Sequence, residues 1–215
     1  MNKALLLILV ATALLVTCKK GNFDQRIEGV VTNGTLGGNM SGIQIKLKKQ
    51  SITSGVFNTN YETVAETTSA SDGSYSIDFK RENVAGYKLE ARKENYFDRD
   101  FLINPDNISP GDVYTRNITM LARADFRVEV ENTTPLNNND VLTYHNLNAN
   151  FSCDCCDNED RIYGGTDINE SATCGVWGNY WIKYFYQVEK DTVFYAVLDS
   201  IYCPAFQTTT LTINY

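Results

Sequence analysis

The chain has 215 residues, with 19 Lys+Arg against 26 Asp+Glu, a single His and a net charge of −7. Such a balance disfavours nucleic acid and anionic lipid headgroups, both of which need basic patches, while the length allows one large domain or two ordinary ones. Thirteen Tyr and 10 Phe beside only 4 Pro make a β-leaning aromatic load and argue against low-complexity disorder.

At the N-terminus, Lys3 precedes an apolar run from Ala4 to Val16. The run is shorter than the roughly 20 residues a bilayer-spanning helix requires, so it reads as a secretory signal and is set apart from the fold. Its ending, Leu15-Val16-Thr17-Cys18, resembles the lipobox of bacterial lipoproteins. That resemblance implies a signal peptide over residues 1–17, acylation of Cys18 as the first mature residue, and a short lipid-anchored tether over residues 18–25. Several acyl chains hold a protein on a membrane stably where one holds weakly.

No stretch of the mature chain carries a sustained helical period. Short alternating runs between Gly, Asn, Asp and Ser clusters predict strands and turns instead. Arg26 to Thr32 is a strand, Asn33 to Gly42 a turn region, and Ile43, Ile45 and Leu47 share one face of the next strand. Tyr61 to Thr68 leads into Ser71-Asp72-Gly73-Ser74, a hairpin signal because Gly tolerates positive φ. Tyr75, Ile77 and Phe79 alternate after it, Gly86 to Ala91 is a further strand, and Val113 to Leu121 closes the series. Gly29-Val30-Val31, Ser41 to Ile45, Ser71 to Tyr75 and Gly86 to Ala91, with Asn95-Tyr96-Phe97 in place of a Gly-Tyr pair, resemble the carboxypeptidase regulatory-like domain. The resemblance implies a non-catalytic, seven-stranded, transthyretin-like β-sandwich over residues 26–121, serving folding, adhesion or presentation.

Residues 122–215 carry 5 Lys+Arg against 13 Asp+Glu, whereas residues 18–121 balance at 13 each. Strands are expected at Phe126 to Val130, Val141 to Leu147, Tyr180 to Val188, Val193 to Leu198 and Phe206 to Ile213, with a long acidic, cysteine-rich loop over residues 150–173. The spacing predicts an immunoglobulin-like sandwich. The whole is therefore expected to be all-β, as two tandem β-sandwich domains.

Five thiols lie in this second half: Cys153, Cys155, Cys156, Cys174 and Cys203. Export favours disulfides, an odd count leaves one thiol over, and the close set at 153–156 also suits thiolate ligation of a soft metal. Connectivity does not follow from the sequence. Asp154, Asp157 and Asp160 sit in an oxygen-rich run that could hold calcium or simply be solvated. Trp177, Tyr180 and Trp181 open the densest aromatic stretch. Strand alternation puts Trp181, Lys183 and Phe185 on one face and Tyr180, Ile182, Tyr184 and Tyr186 on the other. Rings left outward would suit sugar stacking or a protein interface.

Enzymatic chemistry has little support. His145 is the lone histidine and has no partner at metal spacing, and no nucleophile elbow, P-loop or dinucleotide fingerprint occurs. The expectation is a non-catalytic exported lipoprotein at the outer membrane, without a cofactor unless calcium binds. It would act as a binding module for glycan capture or, alternatively, as a structural or adhesive protein-interaction subunit. The pairing resembles lipoproteins of the Bacteroidetes type, whose short O-glycosylation pattern Asp191-Thr192-Val193 and Asp199-Ser200-Ile201 match. Lys19-Lys20-Gly21-Asn22 lacks the acidic cluster of surface export in that group, which points the anchor towards the periplasm rather than the cell surface.

Overall fold

The computed structural model describes residues 24–53, 56–109, 111–148, 156 and 158–215. Among these, strands dominate and the sole helical element is a 3-10 turn at Pro105–Asn107. The chain is an all-β protein of packed sheets.

The first half contains β1 (Asp24–Asn33), β2 (Gln44–Thr53), β3 (Val56–Thr68), β4 (Ser74–Lys80), β5 (Val84–Arg92), β6 (Arg99–Ile103), β7 (Val113–Thr115) and β8 (Ile118–Met120). One sheet centres on β1, which pairs antiparallel with β4 and parallel with both β7 and β8; the other runs β3-β2-β5-β6. The alternation in β4 seats Tyr75, Ile77 and Phe79 in the core, against Ile27, Ile45, Leu47 and Leu89. The expected strand Val113 to Leu121 is split, and Gly29 permits the split. Where the chain crosses from β7 to β8, Arg116 N–H donates to Glu28 O and Asn117 Oδ1 accepts from Val30 N–H. A Cβ on Gly29 would lie 2.1 Å from Arg116 O, so only glycine fits beneath this crossing. β6 carries no period-2 apolar signal. It is an edge strand with Leu102 exposed, held by ion pairs such as Arg92 to Asp100, and charge on an edge discourages unwanted pairing.

The second half contains β9 (Arg123–Glu131), β10 (Val141–Asn146), β11 (Arg161–Gly164), β12 (Asn169–Trp177), β13 (Tyr180–Lys190), β14 (Val193–Cys203) and β15 (Thr208–Asn214). Its sheets are β12-β9-β15, with β15 parallel to β9, and β11-β10-β13-β14. Phe126, Val128, Leu142, Tyr144, Ile182, Val188 and Ile213 fill the space between them. Two of these strands, β11 and β12, fall within or across the stretch expected to be loop. β12 reads Asn-Glu-Ser-Ala-Thr-Cys and buries only its last residues, so its place is fixed by nine-residue pairing to β9 rather than by an apolar pattern.

The two cores part between Met120 and Ala124. Hydrogen bonds from both halves pin this junction: Ala122 N–H donates to Thr35 Oγ1, Phe97 N–H to Leu121 O, Arg123 N–H to Asn95 O, and Phe206 N–H to Arg123 O. Tyr96 and Phe206 meet edge to face at 5.4 Å across it. Asn95 (φ 63°) and Phe206 (φ 66°) both adopt left-handed backbone here. For a bulky residue such as Phe206 that conformation persists only where its surroundings enforce it.

Candidate functional site

Outward-facing rings and apolar side chains gather on β13 and β14. Even-numbered residues of β13 point inward, with Ile182, Tyr184 and Val188 buried, so Trp181, Lys183 and Phe185 face out. Cross-strand pairing then sets Trp181 opposite Tyr202, Phe185 opposite Leu198, Gln187 opposite Ala196 and Glu189 opposite Phe194. Trp181 is 55% exposed and its ring lies 5.4 Å from that of Tyr202; Leu198 is 71% and Phe194 62% exposed. β14 is the edge of its sheet. Over Val193 to Tyr195 both faces of the strand are exposed, since Val193 and Tyr195 on the inner face are uncovered as well.

The three aromatic candidates do not form one groove. Trp177 and Tyr180 flank the tight Gly178-Asn179 turn, half-buried and edge to face at 5.6 Å. Trp181 follows on the opposite face of β13, as strand alternation requires.

Cysteine placement is decided in part. Cys156 and Cys174 form a disulfide that ties the acidic segment to β12. Cys203 is not a bridging cysteine: it is fully buried as a free thiol inside the second core, and burial pushes its thiol pKa up, with a hydrogen bond to Thr209 opposing. A thiol kept neutral in an apolar setting is inert. Cys18, Cys153 and Cys155 lie outside the described residues, as do the signal peptide, residues 1–17, and residues 18–23 of the tether expected over 18–25; Asp24 and Gln25, its last two residues, belong instead to β1, paired with Lys80 and Phe79. Of the calcium candidates, Asp154 and Asp157 also lie outside them. The exposed Asp160 carboxylate meets His145 Nδ1 at 2.8 Å. Among the described residues no three His, Cys, Asp or Glu side chains cluster as metal ligands do.

A polar cluster at one end of the second sandwich was not anticipated. Lys190 closes β13 on its inward phase and is 6% exposed; Asp140 is fully buried and Asn132, just after β9, is 7% exposed. Lys190 Nζ donates to Asn132 Oδ1 at 2.7 Å, to Thr134 O at 2.9 Å and to Thr134 Oγ1 at 3.3 Å, and stands 3.8 Å from Asp140 Oδ2. Its ammonium also lies 4.7 Å from the centre of the Tyr215 ring, a cation–π contact. Asn132 Nδ2 donates to Asp140 Oδ2 and to Gly165 O, both at 3.0 Å. The Leu136 N–H, with the Asn132 amide, the Asn137 N–H and the Lys190 charge, holds the Asp140 carboxyl below its ordinary range against the cost of burial. The readable signal was a lysine two residues beyond Val188, in phase with the buried positions of the strand.

Hollows elsewhere are shallow and polar. One of about 360 Å³ at the junction is lined by Lys93, Glu94, Tyr96, Arg123, Asp125 and Phe206; another of about 380 Å³ is lined by Arg81, Glu82, Asn83 and Asp106 among others. Neither has the apolar lining typical of small-molecule pockets.

No protein-family model and no curated protein matches the chain. Among solved structures it is similar to the shaft pilin SpaA from Lactobacillus rhamnosus GG, at 8% identity and TM-score 0.34, covering 89% of this chain and 97% of that one. It is likewise similar to GBS52, the minor pilin of Streptococcus agalactiae, at 13% identity and TM-score 0.35, covering 88% and 94%. A third is the dioxygenase domain of a dioxygenase carbohydrate-binding protein fusion from Streptomyces sp. SirexAA-E, at 14% identity and TM-score 0.33, covering 49% and 84%. At such scores nothing of those proteins' roles passes to this chain.

Proposed function

We propose that the chain is a non-catalytic subunit of a cell-envelope assembly, lipid-anchored through Cys18 at the outer membrane, which binds other envelope proteins through β14. The observation that carries this reading is the edge segment Val193-Phe194-Tyr195-Ala196-Val197-Leu198. It is six apolar residues long, exposed over most of its length and at the margin of its sheet. Edge strands of soluble proteins are ordinarily guarded by charge, proline, bulges or shortness. This segment has none of those devices, and such sequences pair readily with another strand. A partner adding a strand there would satisfy the outer backbone groups and cover the apolar side chains.

The test is the size of the assembly extracted from native envelopes in mild detergent. The wild-type chain is expected to migrate in a complex larger than its own mass, and the Phe194→Lys/Leu198→Lys variant as a free chain. A wild-type chain running at its own mass, or a variant retained in the complex, refutes the reading.

One observation favours a second reading, glycan capture: the paired, exposed rings of Trp181 and Tyr202 make a stacking platform. A glycan array probed with wild type and Trp181→Ala separates the two. Binding lost in the variant would support capture, and no binding by the wild type would remove it.

A further inference from the structure

We infer that Lys190 and Asn132 become joined by an intramolecular amide bond, formed by the folded chain with Asp140 as proton carrier. The argument stands on the buried cluster alone and is independent of what β14 binds. A primary amine lies 2.7 Å from the oxygen of a carboxamide, in a place where water is excluded. The same carboxamide is held at its nitrogen by a carboxylate that also faces the amine. Nucleophile, acyl group and proton carrier are thus in contact before any reaction. Preorganisation of that kind replaces an encounter in solution with an effective concentration on the order of 10⁵–10⁸ M.

The step balances with no outside reagent. The Lys190 ammonium passes a proton to Asp140 Oδ2, and the Nζ lone pair attacks Asn132 Cγ, forming the C–N bond and placing negative charge on Oδ1. Nζ then loses a second proton and Asp140 delivers one to Nδ2. The Cγ–Nδ2 bond breaks and ammonia departs, taking up the remaining proton as ammonium. Asp140 Oδ2 accepts from Nδ2 at 3.0 Å and stands 3.8 Å from Nζ, so a shift of under about 1 Å by the lysine brings the carboxylate into reach of the proton it must take, and a lysine in a water-poor setting is a known type of nucleophile. Gly165 O, which accepts the other Nδ2 proton at 3.0 Å, fixes the amide plane during attack.

The bond would run between the two sheets. Asn132 directly follows β9, the middle strand of one sheet, and Lys190 ends β13, an inner strand of the other. It closes 58 residues of chain into a loop, so a pull along the chain could not peel the sheets apart at that end without breaking a covalent bond.

Tryptic mapping of the full chain after unfolding and reduction tests this. The wild type is expected to yield the peptide from Val128 to Arg161 joined to the peptide bearing Lys190, lighter than the sum of the two by one ammonia, with no cleavage after Lys190. Lys190→Arg, which keeps the charge and cannot form the link, is expected to give separate peptides of full mass. Asp140→Asn should leave the amine and carboxamide unlinked in most chains while tryptophan fluorescence reports a folded core. Full-mass, separate peptides from the wild type overturn the inference. So does ammonia loss persisting in Lys190→Arg, which would place a cyclised Asn132 in its stead.

Discussion

Removing the Cys156–Cys174 disulfide is expected to destabilise the second sandwich by about 3 kcal/mol. The bridge spans a sequence separation of 18, and the loop-closure entropy it withdraws from the unfolded chain comes to about 3 kcal/mol at that length. For a unit of this size that corresponds to a fall in Tm of roughly 12–24 °C. The assay is built into the sequence, because the chain has 2 Trp, Trp177 and Trp181, and both flank the turn beside Cys174. Their fluorescence therefore reports the second sandwich. Cys156→Ala, Cys174→Ala and the double variant should fall together, since either change breaks the one bond and a second removes little more. A double variant melting within about 2 °C of wild type, or single variants whose losses add, would refute the reasoning.

Three further outcomes are expected. Gly29→Ala sets a methyl 2.1 Å from Arg116 O, and forcing β7 and β8 away should cost about 1–3 kcal/mol, read as a lowered urea midpoint by circular dichroism. Phe126→Ala, with the ring fully buried, should cost about 3–5 kcal/mol in the tryptophan transition; a loss under about 1 kcal/mol would contradict the assigned core. Asp140 titrates below its unfolded value because the Leu136 N–H and its other partners favour the ionised form. Its contribution is therefore complete above the unfolded carboxyl range near pH 4 and is lost as pH falls through the lower folded value. Glu90 behaves likewise: burial raises its pKa, but hydrogen bonds from Lys48 and Lys88 outweigh it. Urea midpoints should drop between pH 5 and pH 2, for Glu90 when followed by circular dichroism and for Asp140 when followed by tryptophan emission, and Asp140→Asn should flatten the drop seen by tryptophan; an unchanged acid limb in the variant would speak against it.

Period-2 patterning was legible wherever one face is buried and the other wet. Tyr75, Ile77 and Phe79 in β4 and the alternation of Trp181 to Tyr186 in β13 both stand in the structure as the residues imply. It failed for β6 and β12, which lie at sheet edges and are placed by backbone pairing, leaving their side chains free to be charged or small. Cysteine chemistry was half legible: an oxidising compartment implies bridges, but only three dimensions show that Cys156 and Cys174 meet at the margin of the second core while Cys203, buried in the same core, stays a free thiol. The edge segment of β14 was visible as an apolar run. Its exposure was not, since sequence does not tell that the first residues of this edge strand are left uncovered on both faces. The Lys190 cluster went unread because its members come from four separate places in the chain, residues 132–140, Gly165, Lys190 and Tyr215, and only the inward phase of one lysine hinted at it.

The central claim, that β14 is covered by an envelope protein, is tested most directly by a photo-reactive residue placed at Leu198 in the native host. Irradiation of whole cells should trap a discrete adduct with one protein, while the same residue at Thr212, on the outer face of the opposite sheet, traps none. Equal labelling from both positions, or no adduct from Leu198, would contradict the account.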